Sequence, residues 1–532
     1  MKYIVITGGV ISGLGKGISA SSIGSILKAN GNNITMIKID PYINVDAGTM
    51  SPYEHGEVFV LNDGSETDLD LGNYERFLNI HLSADHNITT GKVYKSVIDA
   101  ERKGSYLGQT VQVIPHITNK IQEFIYKAAH SPICDSIPDI CIIEVGGTVG
   151  DIESMIFIEA IRQMSYNKPK EDMCFIHVSL VGKIGICDEV KTKPTQNSIK
   201  DLRQLGLHPD LLIIRSDGNI DEMAKQKLSM FCHVPQTNII INNNVESIYQ
   251  VPLLLHTQNI GNIICDKLSL SFNNNNPTLF NQFTNYLNTD NLENITIGIV
   301  GKYTKFTDSY LSITNAIQHA AFQKKCRADI KWLSAENIDY NLINLCNGII
   351  IPGGFGGRGI EGMISVAAYC RLNDIPLLGI CLGMHIICID AARQIYGNDC
   401  NSSEFDKSCK HKIVTIIDDN NNLGGTMKLG LNETKIKSKS LEQLSLAYKL
   451  YEKNIIKERH RHRFEINPDY VQSLSTKLFF SGINDNSMDI VENTNLTFYI
   501  GCQFHPEFLS TLQKPAPLFI GLISSCLYQS TQ

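Results

Sequence analysis

The sequence predicts an α/β protein with two doubly wound domains. Short β-branched runs alternate with helical segments along the chain, a pattern typical of a mostly parallel sheet covered by helices on both faces. The alternation stops near residue 272, in an Asn-rich stretch, and restarts at about residue 294. A chain of 532 residues is also too long for one hydrophobic core. We therefore expect one domain on each side of the Asn-rich stretch.

Nine runs have the composition of buried strands, five before the Asn-rich stretch and four after it. They are Tyr3–Thr7, Ile34–Ile39, Asp139–Glu144, Cys174–Leu180, Leu211–Arg215, Ile295–Val300, Gly348–Ile351, Pro376–Ile380 and Phe498–Gln503. The predicted domains are residues 1–270 and 294–532. Residues 271–293 are predicted to be a linker that leads into a helix.

Composition and charge exclude several classes of protein. With 47 Lys and Arg against 54 Asp and Glu, the net charge is −7, which argues against binding nucleic acid through a general basic surface. The 15 cysteines are scattered without a CxxC pair, as expected for reduced cytosolic thiols. The most apolar internal stretch, Ile375–Ile389, is shorter than the about 20 residues that a membrane span needs. We expect a soluble, cytoplasmic protein that binds neither nucleic acid nor membranes.

A glycine-rich turn, Gly8–Gly17 (GGVISGLGKG), follows the first predicted strand and precedes a helical pattern. Backbone N–H groups and the positive end of the helix dipole at such a turn suit a polyphosphate, and Lys16 would reach the β- and γ-phosphates. The strict P-loop motif is absent, because Val10 replaces its first glycine and Gly17 replaces the hydroxyl residue that binds Mg²⁺. The alternative is a plain strand–turn–helix corner, but the Gly-Lys pair after a strand favours nucleotide binding.

Carboxylates must hold a metal ion if that hydroxyl is missing. Glu144 ends a predicted strand, where open α/β sheets bind ligands, and Asp70 lies in an acidic run. Two carboxylates with phosphate oxygens and water suit Mg²⁺, although either acid alone could be a solvated loop residue. Lys38 lies inside a predicted strand, where an unpaired ammonium is costly. Together with Lys191 and Lys193, further along the chain, it suggests sites for several triphosphates.

A second candidate site lies in the second half. Gly379-Ile-Cys381-Leu-Gly383 follows a predicted strand and is the cysteine form of the nucleophile elbow, with a helix start that favours the thiolate. His505 can act as the base, with Glu507 orienting it, and Gly353–Gly356 can supply N–H groups for an oxyanion hole. A buried structural thiol and a capped surface histidine are the alternatives. The combination favours acyl transfer through a thioester.

Over nearly its full length the sequence resembles the CTP synthase family. The runs that carry the resemblance in the first half are Gly8–Gly17, Lys38–Asp46, Gly48–Pro52, His55–Phe59, Asp63–Arg76, Gln112–Thr118, Glu144–Ser154 and Lys191–Gln196. In the second half they are Gly353–Gly356, Gly379–Gly383, Ser403–Phe405, Glu458–Arg463 and His505–Phe508, which resemble a class I glutamine amidotransferase. The resemblance implies a Rossmann-like synthetase domain with a P-loop and a flavodoxin-like amidotransferase domain, each of three layers.

The resemblance also implies the reaction and its ligands. UTP, ATP and glutamine would give CTP, ADP, phosphate and glutamate through a 4-phosphorylated UTP, the last step of de novo CTP synthesis. Mg²⁺ would accompany ATP, with no organic cofactor. GTP would activate the enzyme and CTP would inhibit it. The chain would form a homotetramer whose nucleotide sites span subunits, and the sequence leaves filaments of tetramers open.

Site residues carry over only where this sequence matches the family's motifs. The implied sets are, for ATP, Ser12, Gly13, Leu14, Gly15, Lys16, Gly17, Lys38 and Asp70; for UTP and CTP, Ser12, Asp151, Ile152, Glu153, Lys191, Lys193, Gln196 and Lys227; for glutamine, Gly353, Leu382, Glu404 and Arg463; for Mg²⁺, Asp70 and Glu144; and for catalysis, Cys381, His505 and Glu507.

Three positions depart from the family pattern. His385 replaces a Gln near the glutamine substrate, so we expect an effect on glutamine affinity. Residues 181–185 lack a proline that the family shows before Lys191, and Gly357 stands where relatives are often bulkier. None of these positions is a predicted catalytic residue.

Two other functions remain open from the sequence. One is an ATP-dependent amidoligase acting on a carboxylate of a cobalamin-like acid, against which the Lys191–Gln196 run argues. The other is a nucleotide-switched assembly or partitioning protein with a silent amidotransferase domain. The presence of Cys381 and His505 argues against the second.

Overall fold

The computed structural model describes residues 1–183, 190–218, 220–273, 278–416, 427–438, 444–484 and 487–530. The chain divides into two compact units. The first unit is Met1–Thr49 with Asp70–Asn288, and the second unit is Met50–Leu69 with Thr289–Gln532. The sequence boundaries do not anticipate that residues 50–69 fold with the second unit.

The strands cover both halves of the chain. In residues 1–288 they are β1 (Lys2–Gly8), β2 (Ile34–Asp40), β3 (Phe59–Val60), β4 (Glu66–Thr67), β5 (Asn87–Thr89), β6 (Ile140–Val145), β7 (Met173–Leu180), β8 (Gly182–Lys183), β9 (Val190–Lys191), β10 (Leu211–Ser216) and β11 (Ile239–Asn243). In the remainder they are β12 (Asn294–Gly301), β13 (Arg327–Ser334), β14 (Gly348–Ile351), β15 (Leu377–Ile380), β16 (Cys400–Ser402), β17 (His411–Ile416), β18 (Lys428–Ile436), β19 (Ile455–His462), β20 (Phe464–Ile466), β21 (Phe479–Asn484), β22 (Ser487–Glu492) and β23 (Tyr499–Cys502).

The helices alternate with most of these strands. They are α1 (Lys16–Ala29), α2 (Pro52–His55), α3 (Leu69–Leu78), α4 (Thr90–Arg102), α5 (Thr118–Ala129), α6 (Ile152–Tyr166), α7 (Lys193–Gln204), α8 (Glu222–Cys232), α9 (Val251–His256), α10 (Ile260–Lys267), α11 (Thr278–Leu287), α12 (Leu311–Lys324), α13 (Tyr340–Ile343), α14 (Ile360–Leu372), α15 (Leu382–Tyr396), α16 (Leu446–Tyr451), α17 (Pro468–Leu474) and α18 (Pro517–Ser530). Across the described residues, none of them is both long and apolar enough to cross a membrane.

The first unit is built on a parallel sheet of seven strands in the order β11-β10-β7-β1-β6-β2-β5. Tyr3 and Val5 on β1 pack with α5 and α6 on one face of the sheet. On the other face α1 approaches β6 so closely that a Cβ on Gly24 would lie 3.4 Å from a methyl of Ile142. The strands are buried on both faces, which explains why they read as continuous apolar runs.

The second unit contains a nine-stranded sheet in the order β13-β12-β14-β15-β23-β22-β21-β18-β19. Its first five strands are parallel, and in chain order they give the flavodoxin-like arrangement 2-1-3-4-5, which confirms the predicted fold. The last four strands extend the sheet with antiparallel pairing. The sequence analysis missed this extension because β18 and β19 carry many charged residues and do not read as buried runs.

All nine predicted strands are confirmed, with ends that differ by at most one residue. The edge strands β5, β11 and β13 were not predicted. The prediction of a linker over residues 271–293 followed by a helix is wrong, because helix α11 lies inside that range, buries Phe280 and Phe283 and belongs to the first unit. Residues 274–277 of the predicted linker lie outside the described residues.

Candidate active sites

The glycine-rich turn connects β1 to α1, which begins at Lys16. Gly13 and Gly15 have φ of 72° and 80°, and Val10 also has φ of 80°, a strained value for a β-branched residue. The Lys16 ammonium donates a hydrogen bond of 2.6 Å to the Gly147 carbonyl. A Cβ on Gly8 would lie 2.6 Å from Cδ of Lys16, so this glycine makes room for the lysine side chain.

Gly17 occupies the position of the missing hydroxyl residue, and the two predicted carboxylates face it. A Cβ at residue 17 would overlap Oδ1 of Asp70 and lie 3.3 Å from Oε2 of Glu144. Asp70 is in the first turn of α3, and Glu144 is near the end of β6. The structure therefore brings both carboxylates to the start of α1, where the sequence analysis placed a phosphate group.

Lys38 joins the same cluster. Parallel pairing of β2 with β6 sets Lys38 beside Glu144, with the ammonium 3.6 Å from a carboxylate oxygen. The ammonium also forms an ion pair with Asp70 and lies 3.6 Å from Asp40. Lys38 is only 5% exposed. Its charge is thus compensated by three carboxylates, which explains how an ammonium is tolerated inside a strand.

Burial sets the protonation of this cluster. Desolvation raises the pKa of Glu144 to about 7, although Lys38 acts in the opposite direction. Desolvation also lowers the pKa of Lys16. The buried hydroxyl of Tyr74 donates a hydrogen bond to Glu144. Tyr74 was not predicted as a site residue, although it lies one turn after Asp70 on the same helix.

Among the described residues, no group of three or more His, Cys, Asp or Glu side chains is arranged to hold a metal ion. The two predicted ligands still suit a hard cation, because they are oxygen donors beside a helix start. The raised pKa of Glu144 indicates that its buried carboxylate would gain from further positive charge.

The predicted UTP and CTP residues lie on several elements of the first unit. Asp151, Ile152 and Glu153 are exposed at the start of α6, and Lys227 is exposed on α8. Three more of these residues lie at or near the start of α7. Lys191 is half-buried on β9, and Lys193 is exposed. Gln196 is buried, and its amide donates a hydrogen bond of 3.0 Å to Thr192 Oγ1. Ser12 is exposed in the glycine-rich turn. Their convergence on one nucleotide stays a prediction.

Cys381 lies in the sharp turn between β15 and α15, with φ 52° and ψ −99°. This conformation is rare for a residue with a Cβ and is typical of a nucleophile elbow. The two glycines of the motif have no room for side chains. A Cβ on Gly379 would lie 2.6 Å from the Gly383 backbone, and a Cβ on Gly383 would overlap the Ile351 carbonyl. Tight packing of α15 on the sheet therefore holds the strained turn in place.

The predicted base and its partner lie beside the thiol. His505 and Cys381 line the same cavity, and Nδ1 of His505 lies 2.7 Å from Oε1 of Glu507. Desolvation alone would lower the pKa of His505, but the Glu507 carboxylate and Cys381 outweigh it and raise the pKa to about 10. His505 and Glu507 are 8% and 2% exposed. The arrangement favours an imidazolium at His505 beside the Cys381 thiol.

The predicted oxyanion loop lies against this pair. A Cβ on Gly353 would lie 2.8 Å from Cε1 of His505 and 3.6 Å from Cβ of Cys381. The buried ammonium of Lys302 donates to the carbonyls of Phe355 and Gly356. The N–H of Gly356 donates to Glu404 at 2.7 Å, so it is not available to an oxyanion.

A cavity of about 80 Å³ opens beside the thiol, and it is lined by Cys381, His505, Gly353, Pro52 and Val58 among others. The last two belong to the segment 50–69. This segment is thus part of the immediate surroundings of Cys381 within the second unit.

Two arginines of the Glu458–Arg463 run hold the segment 50–69. Arg459 is fully buried, with its Nε 2.7 Å from Oδ1 of Asn62 and its Nη1 2.9 Å from the Val60 carbonyl. Arg461 pairs with Glu66 at 2.8 Å. The run therefore also has a structural role that the sequence analysis did not predict.

The chain matches two family models. They are the CTP synthase N-terminus over residues 2–270 and the class-I glutamine amidotransferase over residues 305–525. CTP synthase 1 of Danio rerio is 47% identical, with 98% of this chain and 92% of that protein covered. CTP synthase of Pyrococcus abyssi is 48% identical, with 98% and 97% covered. The chain belongs to the CTP synthase family. Among solved structures, the glutaminase domain of Trypanosoma brucei CTPS with bound acivicin is 35% identical over 44% of this chain and 94% of that domain, with a TM-score of 0.42.

Members of the CTP synthase family are ligases that convert UTP to CTP with glutamine. Against that background, the predicted glutamine-binding residues lie near the thiol or its loop. Leu382 is buried at the start of α15, and Glu404 bonds the loop that contains Gly353. Burial raises the pKa of Glu404, while Lys302 and Arg463 act to lower it.

The three departures from the family pattern differ in their surroundings. The ring of His385 is 3% exposed, and its Nε2 lies 2.8 Å from Oε1 of Gln503. A Cβ on Gly357 would approach no atom more closely than Cβ of Phe405, at 4.0 Å, so packing does not require a glycine there. Residues 184 and 185 of the altered loop lie outside the described residues.

Proposed function

We propose that the chain aminates UTP to CTP at two centres. Glutamine is hydrolysed at Cys381, and the ammonia replaces the 4-oxygen of UTP after ATP has phosphorylated it. The observation that supports this most is the presence, in one chain, of a charged cluster at a phosphate-type turn and a thiol that shares a cavity with a buried His–Glu pair. Membership of the CTP synthase family supports UTP as the acceptor.

The glutaminase half uses the proton held between His505 and Cys381. The thiolate attacks the carboxamide carbon of glutamine, and His505 gives its proton to the departing nitrogen, so that ammonia and a thioester form. Water then attacks the thioester, with His505 as the base, and releases glutamate. Glu507 keeps Nδ1 protonated and stabilises the imidazolium, so that Nε2 is the atom that exchanges the proton.

The synthetase half depends on positioning and charge. Lys16 and Lys38, at the start of α1 and the end of β2, would bind the phosphates of ATP. Asp70 and Glu144 would hold Mg²⁺, whose charge would offset the negative charge of the β- and γ-phosphates. Lys38 already pairs with Asp70, so ATP binding would redistribute existing ion pairs.

Phosphorylation turns the poor leaving group at C4 of the uracil into phosphate, which ammonia displaces. Free ammonia is mostly protonated at neutral pH, so ammonia released by the thioester step must react before it equilibrates with water. Asp151, Glu153, Lys191, Lys193, Gln196 and Lys227 are the proposed contacts for UTP and for CTP as the inhibitor. GTP activation and a homotetramer belong to the same proposal.

The deciding experiment measures CTP formed from UTP and ATP, with either glutamine or ammonium as the nitrogen source. We expect CTP and stoichiometric ADP with both. ATP hydrolysis that is equally fast without UTP, and no aminated product, would instead favour the partitioning protein. Amination of a carboxylic acid in place of UTP would favour the amidoligase.

A further inference from the structure

A buried histidine of the first unit lies between the glycine-rich turn and helix α7. Nδ1 of His177, on β7, lies 2.9 Å from Oγ1 of Thr7, near the end of the strand that leads into the turn. Nε2 of the same ring lies 2.7 Å from Oγ of Ser198 on α7. His177 is fully buried, and both hydroxyl residues are buried as well. The ring therefore connects the strand that enters the turn to the helix.

This connection does not depend on which ring nitrogen carries the proton. Burial lowers the pKa of His177 to about 3, so near pH 7 the ring is neutral, with one N–H and one lone pair. Each of its partners is a hydroxyl, which can donate or accept a hydrogen bond. Thr7 Oγ1 also lies 3.4 Å from the Ile176 carbonyl, so its proton has an acceptor when the ring donates to it. Both hydrogen bonds can therefore form in either tautomer.

The turn and α7 are also in direct contact at this point. A Cβ on Gly9 would lie 1.5 Å from Oγ of Ser198 and 3.0 Å from Nε2 of His177, so there is no room for a side chain on the turn. The Gly9 N–H donates to the Val178 carbonyl at 3.2 Å, on the strand that carries His177. Close packing and the two hydrogen bonds of one ring thus set the distance between the turn and the helix.

A second pair of hydroxyls holds α7 on the same strand without reaching the turn. Ser179 Oγ donates to Thr195 Oγ1 at 3.1 Å, and Thr195 donates to the Leu180 carbonyl at 2.8 Å. Ile199, on the same helix, is fully buried. The helix is thus held on the sheet independently of His177. Removing the His177 ring should therefore shift α7 relative to the turn without detaching it.

We propose that His177 is a positioning residue that sets the distance between ATP at the glycine-rich turn and UTP at the start of α7. The inference rests on the proposed function, because it requires the two nucleotides to bind at these elements. Lys193 and Gln196, two proposed UTP contacts, lie on α7 within two turns of Ser198. Transfer of the γ-phosphoryl group needs the reacting atoms in line, and a misplacement of about 1 Å can cost about 10²-fold in rate.

The test measures CTP and ADP together, in the full chain with ammonium as the nitrogen source. His177→Leu removes both hydrogen bonds of the ring. We expect kcat for CTP formation to fall about tenfold, while KM for UTP and for ATP stays within about twofold. Water would take the phosphoryl group in some turnovers and give ADP and phosphate without CTP. The ADP formed per CTP should then rise from about one to at least about two.

Ser198→Ala removes only the hydrogen bond on the side of α7, and we expect about a threefold fall in kcat with a smaller rise in the ADP to CTP ratio. It supplies the same measurement if His177→Leu does not fold. The double variant should be no worse than His177→Leu alone, because the two residues act in series. The matched control is Ser179→Ala, which removes a buried hydroxyl between the same strand and helix and should leave the ratio unchanged.

A wild-type ADP to CTP ratio in His177→Leu, or in Ser198→Ala if only that variant folds, overturns the inference. A raised KM for UTP with an unchanged kcat also overturns it and makes His177 a determinant of UTP binding alone. A raised ratio in Ser179→Ala would show that any loosening of α7 has this effect, which removes the specific role of His177. Wild-type protein that forms no CTP from UTP and ammonium would remove the proposed function itself, an outcome separate from the others.

Discussion

The charged cluster at Lys38 and the thiol site at Cys381 are both assembled in the structure, but by different means. In the first unit, charges from β2, α3 and β6 neutralise one another, and Lys38 binds the carboxylates that would otherwise face a ligand. In the second unit, the backbone itself holds the proposed nucleophile, in a turn with φ 52° that close-packed glycines enforce.

The difference concerns what each site must do when its ligand binds. A phosphate group can replace a carboxylate as the partner of Lys38, so we expect the first site to reorganise around a triphosphate. A strained turn packed against β14 and β15 has little room to rearrange, so we expect the proposed glutamine site to be fixed before glutamine binds. We therefore expect charge substitutions to dominate the effects in the first unit and geometric ones in the second.

The sharpest test of two separate centres is Cys381→Ala. Glutamine-dependent CTP formation should fall by at least about 10³-fold, since the nucleophile is lost, while ammonium-dependent formation should persist. Initial rates with each nitrogen source measure this. Lys16→Ala alters the proposed ATP site instead, and it should remove CTP formation with glutamine and with ammonium. Equal loss with both nitrogen sources in Cys381→Ala would contradict the separation.

The next largest effect is expected for Gly17→Ser, which would bring the turn closer to the strict P-loop motif. Its Cβ would overlap Asp70, so we expect about a 10²-fold loss of CTP formation with either nitrogen source. Adding Asp70→Ala relieves the overlap but removes a proposed Mg²⁺ ligand, and it should not restore activity. An active Gly17→Ser enzyme would show that the cluster adapts more freely than we infer.

A smaller effect is expected for Tyr74→Phe. Its hydroxyl donates to Glu144, and this hydrogen bond lowers the pKa of that carboxyl. Without it Glu144 is more often protonated near pH 7, and we expect about a tenfold loss of CTP formation that higher pH reverses. Rate–pH profiles with ammonium test this. Tyr249→Phe, at another buried tyrosine of the first unit, should have a normal profile.

The smallest effect concerns stability in the second unit. Because the pKa of His505 is raised from 6.5 to about 10, its stabilising charge is complete below pH 6.5 and is lost as pH rises toward 10. Glu507→Gln removes the carboxylate that pairs with His505, so the free energy of unfolding of this variant should fall less between pH 7 and 9 than that of the wild type. The two slopes of unfolding free energy against pH should differ by at most about 1.4 kcal/mol per pH unit. Glu433→Gln, at an exposed ion pair with Lys457, should retain the wild-type slope.

The sequence allowed the central parts of both sheets to be predicted, because parallel strands buried on two faces appear as short apolar runs. It also placed Lys16, Asp70 and Glu144 in one site. Lys16 ends the glycine-rich turn, Glu144 ends a predicted strand, and Asp70 lies in an acidic run. The missing hydroxyl at Gly17 indicated carboxylates, and the structure places Asp70 and Glu144 beside that residue.

The remaining features depend on contacts between distant parts of the chain. Nothing local in residues 50–69 indicates that Asn62 and Val60 bind Arg459, almost 400 residues later. The pairing of Lys38 with Glu144 depends on strand register, which the sequence does not specify. The position of Gln503 near Cys381 could have been recognised, since Gln503 ends a predicted strand and lies two residues before His505.

Strand β23, which leads to Gln503 and His505, is the point where the parallel and antiparallel parts of the large sheet meet. It pairs with β15 along one edge and with β22 along the other. Amide protons engaged in two ladders exchange with deuterium only when a large part of the sheet opens. His505, the proposed acid–base group, follows this strand by three residues, so we expect its backbone to exchange slowly. Closure over glutamine would then come from the loops around it.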